Sequence, residues 1–300
     1  MKPILSIIIV SYNTADITID CLRSILTDKG LKSIPYEIII VDNDSKDNSL
    51  EKIKKLKLPN LTLIANKENS GFGRANNQGI KIAQGNYILL LNSDTIILHS
   101  SISQSLDWLS SHPEASTCTA QLLNKDKTIQ ASGGYFPNLL NVFAWSFGLD
   151  DLPFINLLIK PLHPHTPQFY THDKFYLLDH KQDWVTGAFM LIRAEVLKKV
   201  NGFDENYFMY GEEVELSYRI QKTTKENQVW YLIGPQIIHL GGASATSRVN
   251  PIVNEYLGII SFFKKHKPIW QYYLVKLFIK VNAFLRSFIN PIYKEACSKI

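Results

Sequence analysis

Three carboxylates open one predicted helix, in Tyr210-Gly211-Glu212-Glu213-Val214-Glu215. Neighbouring side chains on a helix point about 100° apart. One of Glu212 and Glu213 can therefore enter a site as a general base while the other serves as its structural partner. Acids in a first turn also complement the helix dipole, each worth roughly 0.3–1 kcal/mol, and Glu215 can pair with Arg219 one turn on. These residues alone do not choose between the two accounts. Asp94 closes the run Leu89-Leu90-Leu91-Asn92-Ser93-Asp94. A carboxylate at a strand end suits a hard divalent cation, Mg2+ or Mn2+, bridging phosphate oxygens, and it suits a turn or cap equally well. His239, after the apolar pair Ile237-Ile238, is either a ligand or a satisfied loop histidine.

The elements that must hold these groups follow from the apolar runs. Ile4–Val10, Tyr36–Val41, Leu61–Ala65 and Tyr87–Leu91 are short, rich in Ile and Leu, and closed by polar residues, the pattern of buried strands. Asp16–Leu26 and Gly73–Ala83 between them carry helical spacing, the second stopped by Gly85. Strand–helix–strand alternation predicts right-handed βαβ units and a parallel sheet, whose ligands bind beyond the carboxyl ends of the strands. Ser11-Tyr12-Asn13, Asp42-Asn43-Asp44-Ser45 and Asn92-Ser93-Asp94 stand at those ends. Residues 130–182, with five prolines, read as an irregular excursion over the sheet. Order returns with a strand over Val185–Arg193, helices over Ala194–Val200 and Glu212–Gln221, and a strand over Val229–Ile233.

Several functions are excluded or disfavoured. The first strand–helix turn, Ser11-Tyr12-Asn13-Thr14-Ala15-Asp16, holds no glycine, so it lacks the G-x-G-x-x-G that brings backbone amides to a dinucleotide. A P-loop is absent too. Hydrophobic residues are 45% and charged residues 20% of the 300, a composition that buries a core and excludes a disordered chain. Cys21, Cys118 and Cys297 are too widely spaced for a metal knuckle or a disulfide framework, which fits a reducing compartment. The apolar run after Met1 is too short for a membrane span.

The net charge of +5 is uneven. Residues 256–300 carry eight Lys and Arg against the single acid Glu295, a net +7, which leaves −2 for residues 1–255. Nucleic-acid binders usually spread positive charge over the folded surface, so nucleic acid is not expected as a partner. Within the tail, Leu274, Leu277, Phe278, Val281, Leu285 and Phe288 follow helical spacing, with Lys276, Lys280, Ser287 and Asn290 opposite. This predicts a basic amphipathic helix lying on an anionic membrane surface. The alternatives are packing on the protein's own core or on a second copy, as a homodimer.

Taken together, the motifs are similar to those of the family 2 glycosyltransferases of GT-A fold, and among these to bacterial rhamnosyltransferases of surface polysaccharide synthesis. The likeness is carried by Ser6-Ile-Ile-Ile-Val-Ser-Tyr-Asn13, Ile39-Ile-Val-Asp-Asn-Asp-Ser-Lys-Asp-Asn-Ser49 and Asn69-Ser-Gly-Phe-Gly-Arg-Ala-Asn-Asn-Gln-Gly79. It continues through Leu89-Leu-Leu-Asn-Ser-Asp-Thr95, Trp184-Val-Thr-Gly-Ala-Phe-Met-Leu-Ile-Arg193 and Gly202-Phe-Asp-Glu205. Phe208-Met-Tyr-Gly-Glu-Glu-Val-Glu-Leu-Ser-Tyr-Arg219 and His239-Leu-Gly-Gly-Ala-Ser244 complete it.

The resemblance implies an α/β, GT-A (Rossmann-like), mostly parallel sheet flanked by helices. A catalytic domain is expected over 1–255 and a basic amphipathic helical tail over 256–300. By the same likeness, Ser11, Tyr12 and Asn13 line the base and ribose pocket and Asp42 meets the nucleobase. Asn69, Gly71, Arg74 and Asn76 match the segment that contacts ribose and diphosphate. Asn92-Ser93-Asp94 stands in place of an Asp-x-Asp motif, leaving Asp94 as the metal-binding acid, with His239 as a metal or diphosphate ligand. Gly187, flanked by Asp183 and Trp184, faces the acceptor, and Glu212 stands beside the base.

That base is the second residue of a Glu-Asp pair in the family. Glu213 inherits the role here with one methylene more, and Glu215 likewise stands where Asp is usual. The extra carbon moves the carboxylate by about 1.5 Å, and 1 Å of misplacement can cost roughly 100-fold in rate. The implied reaction is metal-dependent and inverting, from a nucleoside-diphosphate sugar (dTDP-rhamnose or a UDP-sugar) to a polyprenyl-diphosphate-linked glycan. The location implied is the cytoplasmic side of the cell membrane. The competing expectation is a catalytically impaired homologue serving as a nucleotide- or glycan-binding module.

Overall fold

Leu5–Ser11 (β1), Tyr36–Asp42 (β2), Leu61–Ala65 (β3) and Tyr87–Asn92 (β4) are strands, as the apolar runs predict. Alternate residues of each strand point to opposite faces, and both faces are covered. Ile7, Ile9, Ile38, Ile40, Leu89 and Leu91 enter one core cluster, while Ile8, Ile39, Val41, Ile88 and Leu90 enter another. Helix α1 (Ala15–Leu26) packs Ile19, Leu22 and Ile25 on the first face. Short α2 (Ser49–Lys55) buries only Ser49 and Ile53 and was not anticipated from the sequence. Helix α3 (Phe72–Ile82) packs Ala75 on the second face. The computed structural model describes residues 2–152, 155–169, 174–223, 228–242 and 249–300.

After β4 come β5 (Thr95–Ile97), α4 (Ser101–Ser111) and β6 (Ala115–Leu123). The 130–182 stretch contains α5 (Leu139–Ser146), α6 (Ile155–Leu158) and β7 (His180–Gln182). Its Pro153 lies outside the described residues, as do Ala243 and Ser244 of the histidine motif. Next are β8 (Phe189–Arg193), shorter than expected, α7 (Ala194–Val200), α8 (Glu212–Thr223) and β9 (Gln228–His239), longer than expected. The tail is helical: α9 (Val249–His266), α10 (Ile269–Ser287) and α11 (Pro291–Lys299). Helix α9 runs without a break through residue 255.

The strands form one mixed sheet in the order β3-β2-β1-β4-β8-β6-β9-β5, with β7 beside β9. Parallel pairing prevails in the first half, where β1 lies between β2 and β4 and β2 pairs β3. The second half departs from a mostly parallel sheet. Strand β8 is antiparallel to both β4 and β6, and β5 and β7 are antiparallel to β9. Strand β8 follows a long excursion instead of a crossover helix, so nothing forces the parallel direction on it.

A third cluster lies away from the sheet. Val142 of α5, Leu162, Tyr256, Ile260 and Phe263 of α9, and Val275, Ile279 and Ala283 of α10 pack together. The inward face of α10 is therefore not the predicted stripe. Leu277 (54% exposed), Leu285 (50%) and Phe288 (74%) point outward. Trp270, Tyr273, Leu277, Phe284 and Phe288 make an exposed apolar row at helical spacing, and Phe143 of α5 and Phe147 just after it continue the row through contacts with Phe278. Three members of the predicted stripe thus face outward, as a helix lying on a surface requires, while Val275, Ile279 and Ala283 make the inward face. No helix among the described residues is long and apolar enough to cross a membrane. All three cysteines are free thiols.

Candidate active site

Sheet register brings the polar strand ends to one rim. Ser11 stands opposite Asp42, and Val10 opposite Asn92. Chain reversal after Asn92 then sets β5 antiparallel to the end of β9, with Thr95 paired to His239 and the Leu240 amide donating to the Asp94 carbonyl at 2.9 Å. Two residues 145 positions apart are thus neighbours. Asp94 Oδ1 and His239 Nε2 face each other at 3.3 Å, and Asn92 Nδ2 lies 3.4 Å from the same nitrogen. His239 Nδ1 lies 2.6 Å from Gln130 Oε1.

A cavity of about 690 Å³ opens over this rim. Asp94, Asn92, Ser93 and His239 line one part of it, Tyr12 and Asn69 another, and Gly187, Glu212 and Glu213 the side towards α8. The α8 start is fixed by a loop in unusual backbone geometry. Tyr210 and Gly211 have φ of +69° and +92°, and the Glu215 amide donates to the Gly211 carbonyl at 3.0 Å. Across the cavity Gly71 has φ +85°, and a Cβ there would meet the Phe208 carbonyl oxygen at 2.4 Å. Glycine is required at that crossing, where the Phe72 amide donates to Phe208 at 2.9 Å.

The two candidate carboxylates differ in environment. Burial, then the adjacent charge of Glu213, push the Glu212 carboxyl well above the usual glutamate range. Burial also raises Glu213, while the backbone amides of Glu213, Gly211 and Gly187 hold it back. Glu213 is therefore the member of the pair that ionises first. Oε2 of each finds no hydrogen-bond partner among the described residues. Glu215, fully buried, points away from the cavity. It accepts from Arg219 at 2.7 and 2.9 Å, Lys265 Nζ at 2.6 Å and His266 Nε2 at 3.0 Å, which ties α8 to α9.

Other predicted site residues do not line the cavity. Ser11 is buried and hydrogen-bonded to Thr14 and Thr18. Asn13 bridges to Lys46 and Ser45 through backbone amides and side chains. Asp42 Oδ1 accepts from the Ser45 amide at 3.0 Å, and its buried Oδ2 has no partner among the described residues. Asn76 is buried and donates to the Phe72 carbonyl at 3.0 Å. Arg74 pairs with Glu205 at 3.2 Å at the surface. Asp183 accepts from the Phe136 amide at 2.7 Å and Trp184 donates to the Tyr135 carbonyl at 3.2 Å. Both hold the 134–136 loop, and neither lines the cavity.

Several contributors were not singled out from the sequence. Asn43 lines the cavity and organises its edge, donating to Asn69 Oδ1 at 2.8 Å and accepting from Asn66 and the Ser70 amide. Pro251 and Asn254 of α9 form a wall near Tyr210. Only tertiary packing brings that helix here: a Cβ on Gly258 would lie 2.5 Å from the Tyr210 carbonyl oxygen.

One carboxylate oxygen and one imidazole nitrogen converging on a cavity fit a cation that completes its shell with substrate oxygens. No cluster of three or more His, Cys, Asp or Glu suited to a metal exists among the described residues, so a caged structural metal does not fit here.

A mixed sheet, a rim cavity and paired glutamates at a helix start define a glycosyltransferase of GT-A type. Residues 6–200 match the sequence profile of Glycosyl transferase family 2, and the chain belongs to that family. The chain is 30% identical over 222 residues to rhamnosyltransferase WbbL of Escherichia coli K12, covering 71% of this chain and 75% of that protein. It is 25% identical over 203 residues to the N-acetylglucosaminyl-diphospho-decaprenol L-rhamnosyltransferase of Mycobacterium tuberculosis, covering 63% of this chain and 62% of the relative. The crystal structure of GalNAc-T7 with UDP, GalNAc and Mn2+ shares the fold, with a TM-score of 0.61 and 16% identity over 88% of this chain and 49% of that one. The mannosyltransferase PcManGT of Pyrobaculum calidifontis, in complex with GDP-Man and Mn2+, aligns at 0.56 and 13% identity over 99% and 74%.

Proposed function

We propose that this glycosyltransferase is an inverting rhamnosyltransferase of cell-surface polysaccharide synthesis. It takes L-rhamnose from a nucleoside diphosphate, dTDP or UDP, to a hydroxyl of a polyprenyl-diphosphate-linked glycan. One observation carries the reading: Glu213, Asp94 and His239 line the same cavity. The sugar and the lipid-linked acceptor follow the names of the relatives in Escherichia coli and Mycobacterium tuberculosis.

In this reading Glu213 accepts the proton of the acceptor hydroxyl, a contribution of roughly 10²–10⁴-fold. The freed oxygen bonds to the anomeric carbon from one face while the bond to the diphosphate breaks on the other, its electron pair leaving with the diphosphate. Burial and the Glu213 charge oppose ionisation of Glu212, which keeps a second negative charge away from the base. Asp94 and His239 would hold a divalent cation, Mg2+ or Mn2+, which would supply positive charge to stabilise the departing diphosphate. Tyr12, Asn69, Asn92 and Ser93 face the donor, supported from behind by Ser11, Asn13, Asp42, Gly71 and Asn76, with Arg74 at the outer edge. Gly187 lies on the acceptor side, backed by Asp183 and Trp184.

We assign transfer to residues 1–255 and attachment to residues 256–300, the boundary falling within α9. The outward row on α10, with Lys276 and Lys280 on its flank, suits the anionic inner face of the cell membrane, where a lipid-linked acceptor resides.

The test is calorimetry with dTDP- and UDP-sugars, with and without Mn2+, followed by transfer assays on a lipid-linked acceptor. Metal-dependent donor binding with transfer abolished in Glu213→Gln is expected. Donor binding without transfer by the wild type would favour a nucleotide-binding module, with Glu in place of Asp as its cause. Equal transfer by Glu213→Gln would remove Glu213 as base.

A further inference from the structure

We propose that Gln130 is a positioning residue that fixes His239 with its proton on Nδ1, leaving the Nε2 lone pair facing Asp94 in the cavity. The proposal rests on the reading of His239 as a cavity ligand and adds how this chain prepares it.

Strand β6 ends at Leu123 and turns through Asn124–Thr128, with the Asn124 amide donating to the Thr128 carbonyl at 2.8 Å. Because β6 is parallel to β9, with Leu123 opposite Ile238, the returning chain sets Gln130 against His239. Two independent anchors decide which way its amide points. Gln130 Nε2 lies 3.1 Å from the backbone carbonyl oxygen of His239, which can only accept. It also lies 2.9 Å from Asn124 Oδ1.

Asn124 is oriented in turn. Its Nδ2 donates to Thr128 Oγ1 at 3.0 Å, and the Thr128 hydroxyl gives its single proton to Asp126 Oδ1 at 2.6 Å. A carboxylate at the start of the chain accepts only, so every link has one polarity. Gln130 must therefore present Oε1 to His239 Nδ1, at 2.6 Å, and that nitrogen must carry the proton. A ligating histidine commonly donates its other nitrogen in this way, and loss of such a partner typically costs 10–100-fold in metal affinity. With Nδ1 protonated, Nε2 and Asp94 Oδ1 are two acceptors 3.3 Å apart, facing each other as ligands of one cation would.

The direct test is nitrogen-15 long-range NMR of the imidazoles in the metal-free protein at pH 8, with His239 assigned by difference from His239→Ala. Wild type and Gln130→Glu, which keeps an acceptor opposite Nδ1, should show the Nδ1–H form. Gln130→Leu should shift His239 to Nε2–H, its proton held by Asp94, and raise the Kd for Mn2+ in the presence of UDP by about 10–100-fold. An Nε2–H form in the wild type, or an unchanged tautomer in Gln130→Leu, overturns the proposal. Unchanged Mn2+ affinity in His239→Ala, with the tautomer behaving as predicted, would support the relay and overturn only the metal assignment it rests on.

Discussion

Gly258 of α9 crosses the loop leading into α8 so closely that a methyl group on it would lie 2.5 Å from the carbonyl oxygen of Tyr210. Tyr210 and Gly211 lead directly into Glu212 and Glu213, so this contact sets where the α8 start sits. Gly258→Val should push the two helices apart. A fall in kcat of about 10–100-fold is expected from displacement near 1 Å, with donor affinity retained, since Tyr12 and Asn69 stand on another wall. Paired kinetics and donor calorimetry check this; equal loss of donor binding would show general unfolding instead.

The raised pKa of Glu213 predicts an acid limb in the pH profile. As the proposed base Glu213 works ionised, so kcat/KM should decline as pH falls through a value above the usual glutamate range, about 4.3. Glu213→Asp should keep such a limb at lower absolute rate.

Glu212 makes an opposite prediction for stability. Its pKa in the fold is raised, so the folded state binds more protons than the unfolded state, and stability declines as pH rises above the unfolded value. Gln at this position lacks the charge that burial opposes. Glu212→Gln should therefore melt higher than the wild type at pH 8, by on the order of 2 °C or more, with the difference vanishing near pH 4. A melting series from pH 4 to 9 decides it.

Glu215 answers Arg219, Lys265 and His266 at once. Glu215→Ala leaves the Arg219 and Lys265 cations without their buried anion and His266 without its hydrogen-bond partner, and the loss of one partner from such a network costs about 3–5 kcal/mol. Urea unfolding should show a reduction of that order. A change below about 0.5 kcal/mol would mean that the network relaxes into solvent at no cost.

The outward row of α10 is tested with vesicles. Phe284→Asp combined with Phe288→Asp should cut cosedimentation with anionic vesicles by at least about tenfold, since each buried aromatic is worth roughly 1.5–3 kcal/mol. Neutral vesicles should bind the wild type more weakly. Dimerisation of the wild type, lost in the double variant without any vesicle binding, would mean that a second copy covers the row.

Much of this was legible in the sequence because strands buried on both faces are continuous apolar runs, and their polar closures mark the rim. Asp94, Glu213 and His239 were legible as residue types in motifs. Their convergence was not, since it depends on β5 reversing against a strand that extends to His239. Asp183 and Trp184 stand beside Gly187 in sequence, yet their side chains are taken up by the 134–136 loop. Gln130 carries no sequence signal: an amide becomes meaningful only when hydrogen bonds polarise it. The outward apolar face of α10 was legible as a stripe, whereas its inward face, Val275, Ile279 and Ala283, was not, since a helix apolar on most sides carries more than one such face.

Helix α9 joins two parts of the molecule. Its first turns, with Pro251 and Asn254, wall the cavity, and its later turns, with Ile260 and Phe263, anchor α10. Under the proposed attachment, any free energy that docking of the tail spent in shifting α9 would reappear, by linkage, as altered affinity in the cavity, and by the same factor in reverse. Residence time on a lipid surface would then report on what the cavity holds.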